Sequence, residues 1–131
     1  MLCPMLVRAG NCICGNFGEA NNETIRRADG GFQAIADGSY LQKTRDEVRG
    51  SGYVVDALEA ALWCFYQTDN YRDAVLLAAN LGDDADTTAA ICGQVAGAYY
   101  GRDGLPVTWL DRVTGSADLH ELSLRLLAPS R

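Results

Sequence analysis

Three consecutive stretches carry apolar residues at helical spacing, and no stretch alternates for long enough to make a strand. Val54, Val55, Leu58, Ala61, Leu62, Phe65 and Tyr66 form the first, with Asp56 and Glu59 on its polar side. Thr68-Asp69-Asn70 then reads as a turn and cap leading to a second helix, with Ala74, Leu77, Ala78 and Leu81 along one side. Thr88, Ile91, Cys92, Val95 and Tyr99 give a third helix its inward face. Pro106 suits the first turn of a fourth, running through Trp109 and Leu110, and Leu119, Leu122 and Leu126 continue the pattern in a fifth. Such a chain folds as an all-α domain.

Punctuation between the helices sharpens this outline. Ser51, in Gly50-Ser51-Gly52, is the expected N-cap of the first helix. Gly82 suits the position just past the end of the second, where positive φ is common. Gly93, Gly97 and Gly101 repeat every four residues. Each helical glycine costs about 0.5–1 kcal/mol relative to alanine, so the row predicts a buried central helix approached closely by another backbone. Residues 1–31 form a loop-rich N-terminal segment with a short helix expected from Glu23 to Ala28. Residues 32–131 form the helical domain, beginning with a helical turn over 32–37 that Gly38 ends.

A length of 131 residues is one domain, and 48% apolar with 21% charged residues describes a folding chain, not a disordered one. The net charge of −6, with Arg26, Arg27, Lys43, Arg45 and Arg49 scattered among acids, argues against nucleic acid as a partner. Cys64 and Cys92 fall in apolar helical patterns and read as core thiols. Cys3, Cys12 and Cys14 lack the paired spacing of a zinc site. No apolar run reaches the ~20 residues of a membrane span and no export signal opens the chain, so a cytoplasmic location is expected.

The chemically loaded stretch is Leu81-Gly82-Asp83-Asp84-Ala85-Asp86-Thr87-Thr88, between the second and third helices. Three carboxylates and two hydroxyls so close together repel unless a hard divalent cation sits among them. Capping offers a simpler account, since Asp and Thr suit a helix N-terminus and its positive dipole end. One Asp and one Thr would satisfy that need; the stretch holds more. Asp84-Ala85-Asp86-Thr87-Thr88 also fits the Asp-x-Asp-x-Thr nucleophile motif of haloacid-dehalogenase-like phosphatases, but that motif follows a strand and here follows a helix. An EF-hand is excluded by the missing loop glycine and terminal Glu.

Taken with two further motifs, this stretch resembles a known family. Gly50-Ser51-Gly52-Tyr53-Val54-Val55, Leu58-Glu59-Ala60-Ala61-Leu62-Trp63 and Asn80-Leu81-Gly82-Asp83-Asp84-Ala85-Asp86-Thr87-Thr88 together look like the C-terminal half of ADP-ribosylglycohydrolases, which include the dinitrogenase reductase-activating glycohydrolases. The likeness runs from about Ile35 to the Pro106–Trp109 region. It implies an all-α orthogonal bundle and a site for two magnesium ions, with Asp84, Asp86 and Thr87 as ligands in the family's Asp-x-Asp-Thr motif. Asp83 stands where many members have glycine and is expected not to bind metal. Tyr53 resembles the aromatic residue beside bound ADP-ribose, and Gly50, Ser51 and Gly52 would let the backbone approach that ligand. The other reading of Tyr53 is a core aromatic at the helix start.

The implied activity is magnesium-dependent cleavage of the N- or O-glycosidic bond between ADP-ribose and a protein side chain, through an oxocarbenium-like transition state. ADP-ribose or an ADP-ribosylated protein is the implied partner. Members of the family are expected to be about twice this length, with a Thr-Asp-Asp motif in the N-terminal half holding the other side of the metals. Nothing in this chain matches that motif; Thr68-Asp69-Asn70 lies in the wrong region. Apolar faces left bare would favour self-association or a complementing N-terminal half. The alternative function is a non-catalytic remnant that binds ADP-ribose or a partner.

Overall fold

The computed structural model describes residues 7–8, 11–12 and 31–127. A short antiparallel pairing joins β1 (Val7–Arg8) to β2 (Asn11–Cys12). Six helices follow among the described residues: α1 (Gly31–Asp37), α2 (Val54–Tyr66), α3 (Tyr71–Ala79), α4 (Ala85–Tyr100), α5 (Val107–Leu110) and α6 (Ser116–Leu127). The fold is all-α, as the periodicity predicts. The helix expected over Glu23–Ala28, and Cys3 and Cys14, lie outside the described residues.

Helices α2, α3 and α4 pack on one another, and α4 is the spine that touches both others. Their seam is built from small side chains: Ala60, Ala61 and Cys64 of α2, Ala74 and Ala78 of α3, and Cys92 and Ala96 of α4 are all fully buried. Short side chains let helix axes come close, and each buried atom then gains dispersion contacts on several sides. Phe65 closes one end, edge-on to Tyr99 at 5.4 Å and to Tyr100 at 6.0 Å. Ile35 of α1, with Tyr40 and Val48 from the connection to α2, completes the core. In that connection Lys43 pairs with the nearly buried Glu59, and its carbonyl accepts the Trp63 indole N–H at 2.9 Å. Burying Glu59 without such a cation would strand a charge in the interior.

Two local expectations are corrected. Ser51 is not the N-cap of α2. That position belongs to Tyr53, and Ser51 instead accepts the Tyr53 backbone N–H at 3.2 Å while donating to the Asp56 carboxylate at 2.7 Å. The glycine row of α4 faces a side chain, not a helix backbone. A Cβ on Gly93 would sit 3.3 Å from the Tyr71 hydroxyl, and one on Gly97 would sit 3.8 Å from the same ring. Tyr71 therefore lies in a groove cut by the missing methyls, with its far edge against Trp109 at 6.1 Å. Gly101 is the residue that ends α4, with φ of 67°.

Other boundaries fall where the residues direct. Asn70 caps α3 by accepting the Asp73 N–H at 2.8 Å. Gly38 ends α1 with φ of 75°, and Gly82 follows α3 with φ of 90°. Pro106 is the N-cap of α5, one residue before its expected place. Leu119, Leu122 and Leu126 do lie in a helix, but α6 buries none of its residues. No helix among the described residues is long and apolar enough to cross a membrane.

Candidate functional site

The turn between α3 and α4 is shaped by backbone conformation. After Gly82, Asp83 also takes positive φ, at 51°, the only non-glycine residue among those described to do so. That is the left-handed region, which glycine enters freely and aspartate tolerates through its short polar side chain. It accounts for the expectation that glycine often stands here. Two residues of this hand reverse the chain and aim the start of α4 back toward the segment before α2.

That segment is held directly against it. The Asp84 N–H donates to the Gly50 carbonyl at 2.8 Å. Gly50 is buried, and a Cβ there would lie 3.1 Å from the Thr88 hydroxyl and 3.3 Å from the Gly82 carbonyl oxygen. Thr88, fully buried, returns both its N–H and its hydroxyl to the Asp84 carbonyl, each at 3.1 Å. From the other side the Arg45 guanidinium donates to the carbonyls of Asn80 at 3.0 Å and Leu81 at 2.9 Å. These are carbonyls that the end of α3 leaves unpaired.

The side chains expected to form the site are brought together in part. Gly52 lies beside Asp84, since a Cβ on it would be 3.5 Å from the Asp84 carboxylate. Asp84 occupies the N-cap position of α4, yet its side chain makes no capping bond. A hydrogen bond with the Asp84 side chain is the first cause holding the Asp86 carboxyl below its ordinary range, followed by the Thr87 backbone N–H and Asp86's own. Capping therefore does not account for Asp84. Two neighbouring carboxyls repel when both are ionised, unless a proton or a cation lies between them.

Thr87 and Asp86 are exposed and Asp84 is half-buried, so this edge faces solvent. Tyr53 is 55% exposed, which removes the reading of it as a core aromatic. It stands at the start of α2 with its backbone fixed by Ser51, on the loop that touches Asp84.

The donor set of Asp84, Asp86 and Thr87 suits a hard cation in kind, being oxygen only. It falls short in number. Among the described residues no group of three or more His, Cys, Asp or Glu side chains converges as a metal cage. The residues present fit one side of a cation site. Arg45 and Thr88, which set the position of that side, went unrecognised in the sequence; an isolated arginine and an inward threonine carry no local signal for bonds to distant carbonyls.

The sequence model of the family described as ADP-ribosylglycohydrolase matches residues 7–131. The chain is 54% identical over 92 residues to an ADP-ribosylarginine hydrolase Tri1 of Serratia proteamaculans, covering 70% of this chain and 25% of that protein. It is 38% identical over 65 residues to an ADP-ribosyl-[dinitrogen reductase] glycohydrolase of Rhodospirillum rubrum, covering 50% and 22%. It is 30% identical over 87 residues to the ADP-ribosylhydrolase ARH3 of Homo sapiens, covering 55% and 24%. The matched stretch is about a quarter of each relative's length. The chain belongs to the ADP-ribosylglycohydrolase family.

Proposed function

We propose that this chain forms one wall of an ADP-ribosylhydrolase site, whose reaction cleaves the glycosidic bond between ADP-ribose and a protein side chain with Mg²⁺. The observation that carries the reading is the Asp84 carboxylate, unused for capping and set beside Gly52 of the Gly50–Tyr53 loop, with Asp86 two residues on at the same helix start. Asp84, Asp86 and Thr87 would hold Mg²⁺, of which family resemblance suggests two ions. When bound, the metal supplies positive charge to orient ribose hydroxyls and favour ionisation of a water.

The chain's own residues then have separable tasks. Gly52, lacking a side chain, leaves the loop open to a sugar nucleotide beside Asp84. The exposed Tyr53 ring offers a flat face for the nucleotide's rings. Gly50 and Thr88 fix the helix start so that the two carboxyls keep their spacing without ligand. Asp84 and Asp86 hold charge in place and transfer no proton. An ADP-ribosylated protein is the proposed substrate, and a complementing N-terminal half the proposed source of the remaining ligands.

The donor count favours a second reading, binding without cleavage, since a hexacoordinate Mg²⁺ would remain mostly hydrated on this wall alone. One experiment separates them. The chain is incubated with an ADP-ribosylated arginine peptide and Mg²⁺, alone and with the N-terminal segment of the Serratia relative, and free ADP-ribose is quantified. Release in either arm, abolished by Asp84→Asn, supports the hydrolase. Absence of release, with calorimetric heat on adding ADP-ribose, supports the binding remnant. No release and no heat would refute both.

A further inference from the structure

Helix α2 starts without a side-chain cap from its own N-cap residue, since Tyr53 holds that position and makes no such bond. The backbone N–H of Tyr53 goes to the Ser51 hydroxyl at 3.2 Å, and that hydroxyl goes on to the Asp56 carboxylate at 2.7 Å. Chemistry fixes the direction of this relay. An N–H can only donate, so the Ser51 oxygen accepts from Tyr53 and directs its own hydrogen to Asp56.

A neighbouring helical turn shows what is unusual here. Before Arg45–Glu47, Thr44 and Glu47 close an ordinary capping box, in which the third helical residue reaches the N-cap N–H directly, at 2.8 Å. Asp56 holds the same third position in α2 but is a methylene shorter than glutamate, and Ser51 fills the gap. The relay thus ties down a loop residue that a plain box would leave loose. The Asp84 N–H bonds the Gly50 carbonyl at 2.8 Å, so the stretch from Gly50 to Tyr53 is held at both ends. Gly52, within it, is exposed, as is the Tyr53 ring.

We infer that Asp56 is a positioning residue of the ligand wall: through Ser51 it fixes the Ser51–Tyr53 loop before a sugar nucleotide arrives, and so lowers the cost of ordering that loop on binding. That the loop faces such a ligand rests on the function proposed above; the relay does not.

Variants of the full chain test this by calorimetry with ADP-ribose and Mg²⁺, and by Tyr53 amide exchange measured by NMR. Asp56→Ala should weaken binding about fivefold and speed Tyr53 exchange by a similar factor, as expected for one ordering hydrogen bond. Ser51→Ala should do the same, and the double change should be no worse than either alone, because both break one chain of bonds. Asp56→Asn keeps an acceptor oxygen and should retain most of the affinity. Asp56→Glu is the sharpest arm. Its longer side chain closes the ordinary box, so the urea midpoint should hold while Ser51 is released and affinity falls. Unchanged affinity in Asp56→Glu would reduce Asp56 to a helix cap and overturn the inference. Unchanged affinity in Asp56→Ala would overturn it too, with the proposed function still standing. If the unsubstituted chain gives no heat with ADP-ribose, even with the N-terminal segment of the Serratia relative, the ligand reading falls and Tyr53 exchange decides. A rate unchanged by Asp56→Ala then overturns the relay; a rate raised there but not in Asp56→Asn upholds it.

Discussion

The backbone N–H of Asp84 donates to the carbonyl of Gly50 at 2.8 Å, joining the start of α4 to the loop that precedes α2. The bond links residues from two separate sequence motifs, and it sets where the Asp84 carboxyl stands relative to Gly52 and Tyr53. Thr88 reinforces it from beneath by bonding the Asp84 carbonyl twice.

Gly50→Ala should disrupt this junction. The added methyl would meet the Gly82 carbonyl oxygen at 3.3 Å and the Thr88 hydroxyl at 3.1 Å, and a backbone atom cannot swing aside as a flexible side chain can. A loss of about 1–3 kcal/mol is expected in urea unfolding, typical of overpacking. Gly52→Ala, whose methyl would make only ordinary contact with Asp84 at 3.5 Å, should leave stability nearly unchanged and reduce ADP-ribose binding in calorimetry.

The α4 glycines give a paired test. Gly97→Ala has room, at 3.8 Å from the Tyr71 ring, and should stabilise the protein by about 0.5–1 kcal/mol through helix propensity. Gly93→Ala should gain less or lose, because its methyl presses on the Tyr71 hydroxyl at 3.3 Å. Combining it with Tyr71→Phe should recover the gain. Thermal melts of the four proteins would show whether the coupling has that sign.

Burial pushes the Cys64 thiol up to about 12, with the nearby Cys92 adding to the effect, and pushes Cys92 up to about 11. Both thiols should resist alkylation at pH 8 in the native Cys3→Ser/Cys12→Ser/Cys14→Ser protein and react once urea unfolds it. The linkage has a definite sign. The folded state holds these protons more tightly than the unfolded chain, so stability is full below about pH 9 and falls as pH rises through 11 and 12. A urea midpoint that stays level across that range would contradict this.

On the acid side, Glu47 accepts both the backbone N–H and the hydroxyl of Thr44, at 2.8 Å each, and these bonds hold its carboxyl below the ordinary value of 4.5. Its contribution is present above that pH and is lost as pH falls through the lowered folded value. Glu47→Gln should flatten this part of the acid limb. Carboxyl NMR should place the native Glu47 midpoint below 4.5.

Periodicity alone outlines the helices, because burying an amphipathic face is a local demand that repeats along the sequence. It places Ala74, Ala78, Thr88 and Cys92 on inward faces, and all four are buried. The acidic turn at Asp84 and Asp86 stands out in composition, since capping needs fewer acids than the stretch holds. What the sequence hides depends on distant partners. Ser51 looks like a cap because its neighbours are glycines, yet its hydroxyl goes to Asp56. The Gly93–Gly97 spacing signals close approach without saying whether a backbone or the Tyr71 ring arrives.

The two bonds from Arg45 to the Asn80 and Leu81 carbonyls have a consequence for how a ligand would be received. With Gly50 pulling from one side and Arg45 bracing from the other, the acidic turn behaves as an anvil. Little freedom is left there for a guest to quench, so adjustment to different guests falls to whatever surface closes over it.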